Sequence, residues 1–323
     1  GAKTTLLYPY FKNPIGDTPL EEYYNLRRPI NTIEIPSLHL DPITDYIPFQ
    51  APRRVAAIIA FHVHRYIFTY NLIRKLKRII SDKEDYAIYV RDGDLARSLI
   101  SRLPTPYCSR VVMEAHGLPR MGMRKRLLVK SLGSASMVIS LTQNMKDQLK
   151  ALGLDETQIK VDPDAVDIKN FNIQLSQAEA RKQLKLPIEG SMASFVGRFH
   201  TTSNEKGIPD IIRASKHLLP KFDNLHFYFI GGPVDVPPTE YDHVASYKRL
   251  IDELQLPSDR FIFLDKQPVK EIPLWLKASN VLLMPHPKTE FYSLHVSPLK
   301  MFEYMASKRP IIASRLPAIE EIL

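Results

Sequence analysis

Apolar and polar positions along this chain fall into two rhythms that keep alternating. Short unbroken apolar runs at residues 86–90, 110–114, 137–140 and 159–162 are separated by stretches at 95–103, 123–132 and 145–152 in which apolar residues return every three or four positions. Continuous apolar runs suit strands buried on both faces, and three-to-four spacing suits helices with one buried side. Strand and helix in alternation predict βαβ units with a parallel sheet. The rhythm starts again further on. Strands are expected at 192–196, 225–230, 260–264, 281–284 and 310–313, with helices ending at 219 and spanning 240–255, 269–277 and 298–306. The fold class is therefore α/β.

The first eighty residues are less regular. Residues 4–8 and 31–35 read as short strands, 15–17 as a turn, and 36–51 as a proline-containing loop. Thr18-Pro19-Leu20-Glu21 combines a capping residue, a first-position proline and an early acid, which marks a helix start. Residues 54–80 read as one long helix or a broken pair. Val55, Ile59, Val63, Tyr66, Tyr70, Ile73, Leu76 and Ile80 form its stripe, whose aromatic side is expected in the core. Ser176 and Glu179 carry a capping-box signature just after the first set of βαβ units. A boundary there gives two domains, 1–170 and 171–323.

Composition narrows the class. The chain has 323 residues, a net charge of +9 and a single cysteine, Cys108. That excludes a disulfide framework and a cysteine-based metal site. No apolar run approaches the roughly 20 residues that span a bilayer, so the expected compartment is the cytosol. The positive charge is concentrated. Residues 46–81 carry seven Lys or Arg and no acid, and residues 115–146 carry six and no acid. Such patches attract anionic partners. Residues 53–78 and 120–130 are therefore candidates for peripheral contact with an anionic membrane, with a solvated helix face as the plain alternative. No RNA-binding or zinc-finger pattern is present, and nucleic acid is not expected as a partner.

Several residues could carry chemistry. His116-Gly117 follows a buried strand at its carboxyl end, where ligands of open α/β sheets sit; a core or turn histidine is the alternative. Gly197-Arg198 and Lys206-Gly207 follow the first strand of the second domain. Two cations returned to one place beside a helix start can hold a diphosphate, against the alternative of a surface pair. Gly231 follows the next strand. Ser297-Pro298-Leu299 reads as a helix start, with Ser297 as cap, Pro298 first in the helix and Leu299, Phe302 and Met305 on one stripe. Glu303 is the one acid of that helix. A buried carboxylate is costly without a partner, although an exposed salt bridge would explain it equally.

These segments together resemble the family 4 retaining glycosyltransferases of the GT-B fold: Glu-x-His-Gly at 114–117, Gly-Arg…Lys-Gly at 197–207, and Ser297 to Ala306 as the second half of a Glu-x7-Glu motif. The resemblance implies two Rossmann-like doubly wound domains facing across a cleft, the first for acceptor and the second for donor. It implies a retaining glycosyltransferase moving a sugar from a UDP- or GDP-linked donor to a glycan, lipid-linked or small-molecule acceptor, in cell-surface polysaccharide or glycolipid synthesis. His116 would then touch the donor sugar, Arg198 and Lys206 the diphosphate, and Glu303 the ribose. Gly16, Gly231 and the helix start at Ser297, Pro298 and Leu299 would approach the donor closely. No cofactor or metal is implied, and Asp92-Gly93-Asp94 lies in the wrong half for a metal-binding pair. The chain departs from the motif at His295, where the first Glu would stand, and at Asp164-Ala165. His295 is read as a change of sugar specificity, with Glu290 or a plain loop residue as alternatives. A sugar-nucleotide epimerase and a catalytically silent relative remain as other classes. The family continues beyond the position of Leu323, so the native protein is expected to be longer.

Overall fold

The structure, a computed structural model, describes residues 3–9, 19, 22, 29–38, 50–80, 85–119, 122–201, 204–232, 243–295 and 297–323, without the side chains of 50–54, 201, 204 and 295. The expected helix start at 18–21 and the glycine at position 16 lie outside the described residues. The chain divides into two compact units, Gly1–Ser140 with Lys146–Val161, and Leu141–Met145 with Asp162–Leu323.

In the first unit, β1 (Thr5–Pro9) and β2 (Asn31–Ile35) form a parallel pair. The helix α1 runs unbroken over Gln50–Ile80. After it come β3 (Ile88–Val90), α2 (Gly93–Arg102), β4 (Val111–Ala115), α3 (Gly122–Leu132), β5 (Met137–Ser140), α4 (Gln143–Ala151) and β6 (Ile159–Val161). The sheet is parallel in the order β3-β4-β5-β6, as the alternation predicts. Asp92 caps α2 by accepting from the Leu95 amide at 2.7 Å.

The stripe expected to bury α1 holds at Ile73, Leu76 and Ile80 and is corrected toward the N-terminus. Val55, Ile59, Tyr66 and Tyr70 are half or more exposed, whereas Ala60, Thr69, Leu72, Ile73, Leu76 and Ile80 are buried. Apolar residues occupy more of the circumference of α1 than one packing surface needs. Its burial is concentrated in the C-terminal half, and the helix packs on β2 and α2.

In the second unit a helical turn at Ile168–Phe171 precedes α5 (Gln177–Gln183), where Ser176 and Glu179 form the expected capping box. Arg181 of this helix is buried and donates to the carbonyls of Ala278, Ile188 and Gly190 and to Asn280 Oδ1, at 2.6–3.0 Å. Then follow β7 (Ser191–Val196), the small antiparallel pair β8 (His200–Thr201) and β9 (Asn204–Glu205), α6 (Ile208–Leu218), β10 (Leu225–Ile230), α7 (His243–Glu253), β11 (Phe261–Leu264), α8 (Ile272–Ala278) and β12 (Val281–Met284). A π-helical turn spans Phe291–His295, a stretch expected as plain loop, before α9 (Leu299–Ala306) and β13 (Ile311–Ala313). The sheet is parallel in the order β11-β10-β7-β12-β13. Its order reverses at β7: the chain builds outward through β10 and β11, then returns to place β12 on the other side of β7. Carboxyl ends of strands at such a reversal leave a crevice for ligands.

Two expectations for α9 are corrected. Ser297 is not its cap; Pro298 holds that position without a side-chain bond, and Ser297 Oγ instead accepts from the Asp164 amide at 2.9 Å. The buried side is Met301 and Tyr304, while Leu299 is 49% and Met305 41% exposed. Tyr304 sets this rotation. Its ring is fully buried, and its hydroxyl accepts from the Val196 amide at 2.8 Å. A buried hydroxyl needs such a partner, and satisfying it turns Leu299 and Met305 outward.

Candidate functional site

At the strand-order reversal of the second unit lies a cavity of about 310 Å³, lined by Val196, Gly197, Arg198, Gly231, Lys266 and Glu303 among others. Strand geometry brings these together. β7 and β10 pair in register up to Val196 and Ile230, so Gly197 and Gly231 leave the sheet side by side. A Cβ on Gly231 would lie 2.5 Å from the Gly197 carbonyl oxygen, and its φ is +133°. The close approach that glycine permits here is thus to the neighbouring strand, and it keeps one wall of the cavity bare. Arg198 is exposed and, among the described residues, has no ion pair.

Lys206 reaches the same region from the short loop between β9 and α6. Gly207 follows it with φ +87°, and a Cβ there would sit 1.7 Å from the Pro285 carbonyl oxygen. Only glycine fits. The Glu205 carboxylate accepts from the amides of Gly207 at 2.5 Å and Ile208 at 2.8 Å, capping α6. Burial raises the Glu205 carboxyl while those amides act against it. Lys206 is therefore clamped between a capped helix start and a backbone contact. Burial, and then the nearby Arg198 charge, bring its pKa down to about 8.

A second lysine went unassigned in the sequence reading. The Lys300 Nζ is buried without a hydrogen-bond partner, stands 3.4 Å from the centroid of the Phe195 ring, and packs where a side chain on Gly197 would go. Burial, and then Lys206, hold its amine well below the usual lysine range, with Glu303 opposing. Glu303 itself is raised by burial, against the pull of Lys300. His286, in the loop two residues after β12, is buried and stacked on Tyr292 at 4.6 Å. Burial and the two lysines lower its pKa to about 3, so it is neutral at ordinary pH. The sequence signal for Lys300 is a lysine three positions before the single glutamate of an apolar helix.

In the first unit, β4 presents Glu114 and His116 at its carboxyl end. The Glu114 carboxylate contacts His116 Nε2, and Arg91 Nε lies 2.8 Å from the same nitrogen and 2.9 Å from Glu114 Oε1. A proton on Nε2 is donated to Glu114, whereas bare Nε2 accepts from Arg91. The imidazole is thus oriented by two charged partners: Glu114, which opens the Glu-x-His-Gly segment, and Arg91, which lies outside it. Of the other residues singled out there, Pro298 is buried, Leu299 is half-exposed, and His295 closes the π-helical turn with its side chain outside the described residues. Among the described residues no three His, Cys, Asp or Glu side chains converge as a metal site requires.

Residues 191–323 match the family model of the group 1 glycosyl transferases. That stretch is most of the second unit, and it is what the family model speaks for. The chain is 32% identical over 158 residues to a 2-deoxystreptamine glucosyltransferase of Streptomyces kanamyceticus, covering 48% of this chain and 38% of that protein. It is 28% identical over 191 residues to a D-inositol 3-phosphate glycosyltransferase of Acidothermus cellulolyticus, covering 57% of this chain and 39% of the relative. The chain thus spans about two fifths of the length of these curated relatives. The crystal structure of Anabaena HepE in complex with UDP superposes with a TM-score of 0.60 at 17% identity, covering 91% of this chain and 70% of that one. That likeness is one of fold. The chain has the GT-B architecture of two Rossmann-like α/β units, and the stretch matched by the family model contains Arg198, Lys206, Gly231 and Glu303.

Proposed function

We propose that the chain is a retaining glycosyltransferase that takes a sugar from a nucleotide diphospho-sugar. The observation that carries this reading is the cavity at the strand-order reversal of the second unit, where the unpaired Arg198 stands with Lys206 close by and Glu303 on the wall. Arg198 and Lys206 receive the diphosphate, and Glu303 accepts a hydrogen bond from a ribose hydroxyl. As the bond from the anomeric carbon to the diphosphate oxygen lengthens, negative charge builds on that oxygen. Fixed cations stabilise it more in the transition state than in the ground state. With Arg198 and Lys206 in this role the diphosphate needs no metal. UDP is favoured over GDP as the leaving nucleotide by the UDP bound in Anabaena HepE.

The acceptor is a glycan, a lipid-linked molecule or a small molecule, as in polysaccharide or glycolipid synthesis at a cytoplasmic membrane face. The basic residues of 53–78 and 120–130 suit the last setting. His116 keeps its proposed role toward the donor sugar, held by Glu114 and Arg91. His295 replaces a carboxylate of the family motif and is proposed to set sugar preference. On this view His295→Ala lowers turnover or changes the preferred sugar while nucleoside diphosphate binding stays within about two-fold, and Glu290→Ala does little. The reverse pattern would move the sugar contact to Glu290.

Incubation with a library of UDP- and GDP-sugars, followed by mass spectrometry, tests the reaction. Release of the nucleoside diphosphate with a sugar added to an acceptor or to water supports it. A donor isomer at unchanged mass, resolved by chromatography, would instead mean an epimerase; donor binding without any turnover would mean a silent relative.

A further inference from the structure

Three helices of the first unit bring cations to one hollow. Arg65 of α1, Arg97 and Arg102 of α2 and Arg124 of α3 line a cavity of about 260 Å³, with His62 and Tyr66 beside them. Among the described residues only Arg65 is answered by carboxylates, Asp92 at 2.8 Å and Asp94 at 3.0 Å, and Asp94 is the one acid in the lining of the hollow. Arg102 lies over the Tyr66 ring at 5.7 Å, and among the described residues Arg97 and Arg124 have no ion pair. Like charges that converge on a concave surface repel one another unless an anion joins them. Planar guanidinium groups match the oxygens of a phosphate better than any other side chain does.

The surroundings of the hollow are apolar. His62, Arg65, Tyr66 and Thr69 share one side of α1, and that side continues toward the N-terminus as Val55, Ile58 and Ile59, which are 57%, 58% and 57% exposed. On α3, Met123 is 76% exposed and Leu127 is 45% exposed, the latter one turn on from Arg124. A soluble phosphate ester would have no use for that surface. A phosphate carrying a hydrocarbon chain would use both parts, the head among arginines and the chain along aliphatic side chains.

We propose that this hollow binds the phosphate head of an anionic lipid, with the lipid chain lying along Val55, Ile58 and Ile59. The inference deepens the acceptor side of the proposed reaction and rests on that reading only for the purpose the lipid serves. It names the lipid phosphate as a specific ligand of three helices, where the charge pattern alone suggested diffuse attraction to a surface.

The test is co-sedimentation of the whole chain with vesicles of phosphatidylcholine, alone or with phosphatidic acid, at two salt concentrations. The expected result is salt-sensitive binding to the acidic vesicles and none to neutral ones. Arg97→Glu with Arg124→Glu should weaken it about ten-fold or more, and Ile58→Ser with Ile59→Ser should weaken it too. Arg213→Glu with Lys216→Glu, an equal change of charge in the second unit, should matter far less. If the acidic double variant loses its folded circular dichroism spectrum, Arg97→Gln with Arg124→Gln takes its place. No binding to acidic vesicles would overturn the proposal, as would equal weakening by the charge-matched pair. Displacement by millimolar inorganic phosphate, with no effect of the isoleucine variants, would make this a soluble phosphate site and overturn the lipid. Calorimetric titration of UDP on the same preparations reads the donor reaction separately, so loss of one result leaves the other standing.

Discussion

In the proposed reaction Arg198 and Lys206 do the same job from different electrostatic positions. Arg198 is exposed, whereas Lys206, at about 8, sits close to its own titration. A charge-assisted contact to phosphate is worth about 1.5–3 kcal/mol, so Arg198→Ala and Lys206→Ala should each weaken UDP binding about ten-fold or more by calorimetry. The pH dependence separates them. Lys206 is charged below about 8 and loses its proton above, so wild-type affinity should fall as pH rises through that value, and the fall should vanish in Lys206→Ala. Lys300 adds a third test. A buried amine without a partner costs stability, so Lys300→Met should raise the unfolding free energy by about 1 kcal/mol or more. If the amine serves the donor site, the same variant should bind UDP about ten-fold less tightly. Greater stability with unchanged affinity would make Lys300 a packing residue only. The motif residues were legible here because strand ends and glycines betray a ligand loop. Lys300 and Arg91 were not, since a lysine in an apolar helix and an arginine after a strand look like ordinary surface residues until their neighbours are known.

At the scale of elements, the β9–α6 junction links stability to the site. Glu205 caps α6, and Lys206 is the next residue of the same short loop. Removing a cap of this kind costs about 1–2 kcal/mol. Glu205→Ala should therefore lower the stability read from urea unfolding by that amount and also weaken UDP binding by loosening Lys206, whereas Glu205→Gln should keep part of both. A stability loss with no change in affinity would uncouple the cap from the lysine. Element identity was readable almost throughout, because buried parallel strands are continuous apolar runs and their crossover helices are periodic. Element rotation was not. The stripe of α1 held only at its C-terminal end and that of α9 failed, because apolar residues cover more than one side of each helix. In α9 one buried hydroxyl, that of Tyr304 on the β7 backbone, decides the side that faces in. A stripe cannot reveal a hydrogen bond to a strand a hundred residues away.

For the molecule as a whole, two α/β units and a family match over residues 191–323 account for the architecture. The strand order of the second sheet, reversing at β7, was beyond the sequence, since parallel strands of similar composition can be ordered in several ways. That reversal is what gathers Gly197, Arg198 and Gly231 at one cavity. The central claim is that sugar leaves a nucleotide diphosphate here with its configuration kept. Proton NMR of the reaction with an α-linked UDP-sugar, following the anomeric signal from the first minutes, tests it most directly. The account predicts that the α anomer, free or transferred, forms first and at the rate of UDP release, with β arising only later by mutarotation of free sugar. A β product at the earliest times, or a donor that stays intact across all UDP- and GDP-sugars, would contradict it.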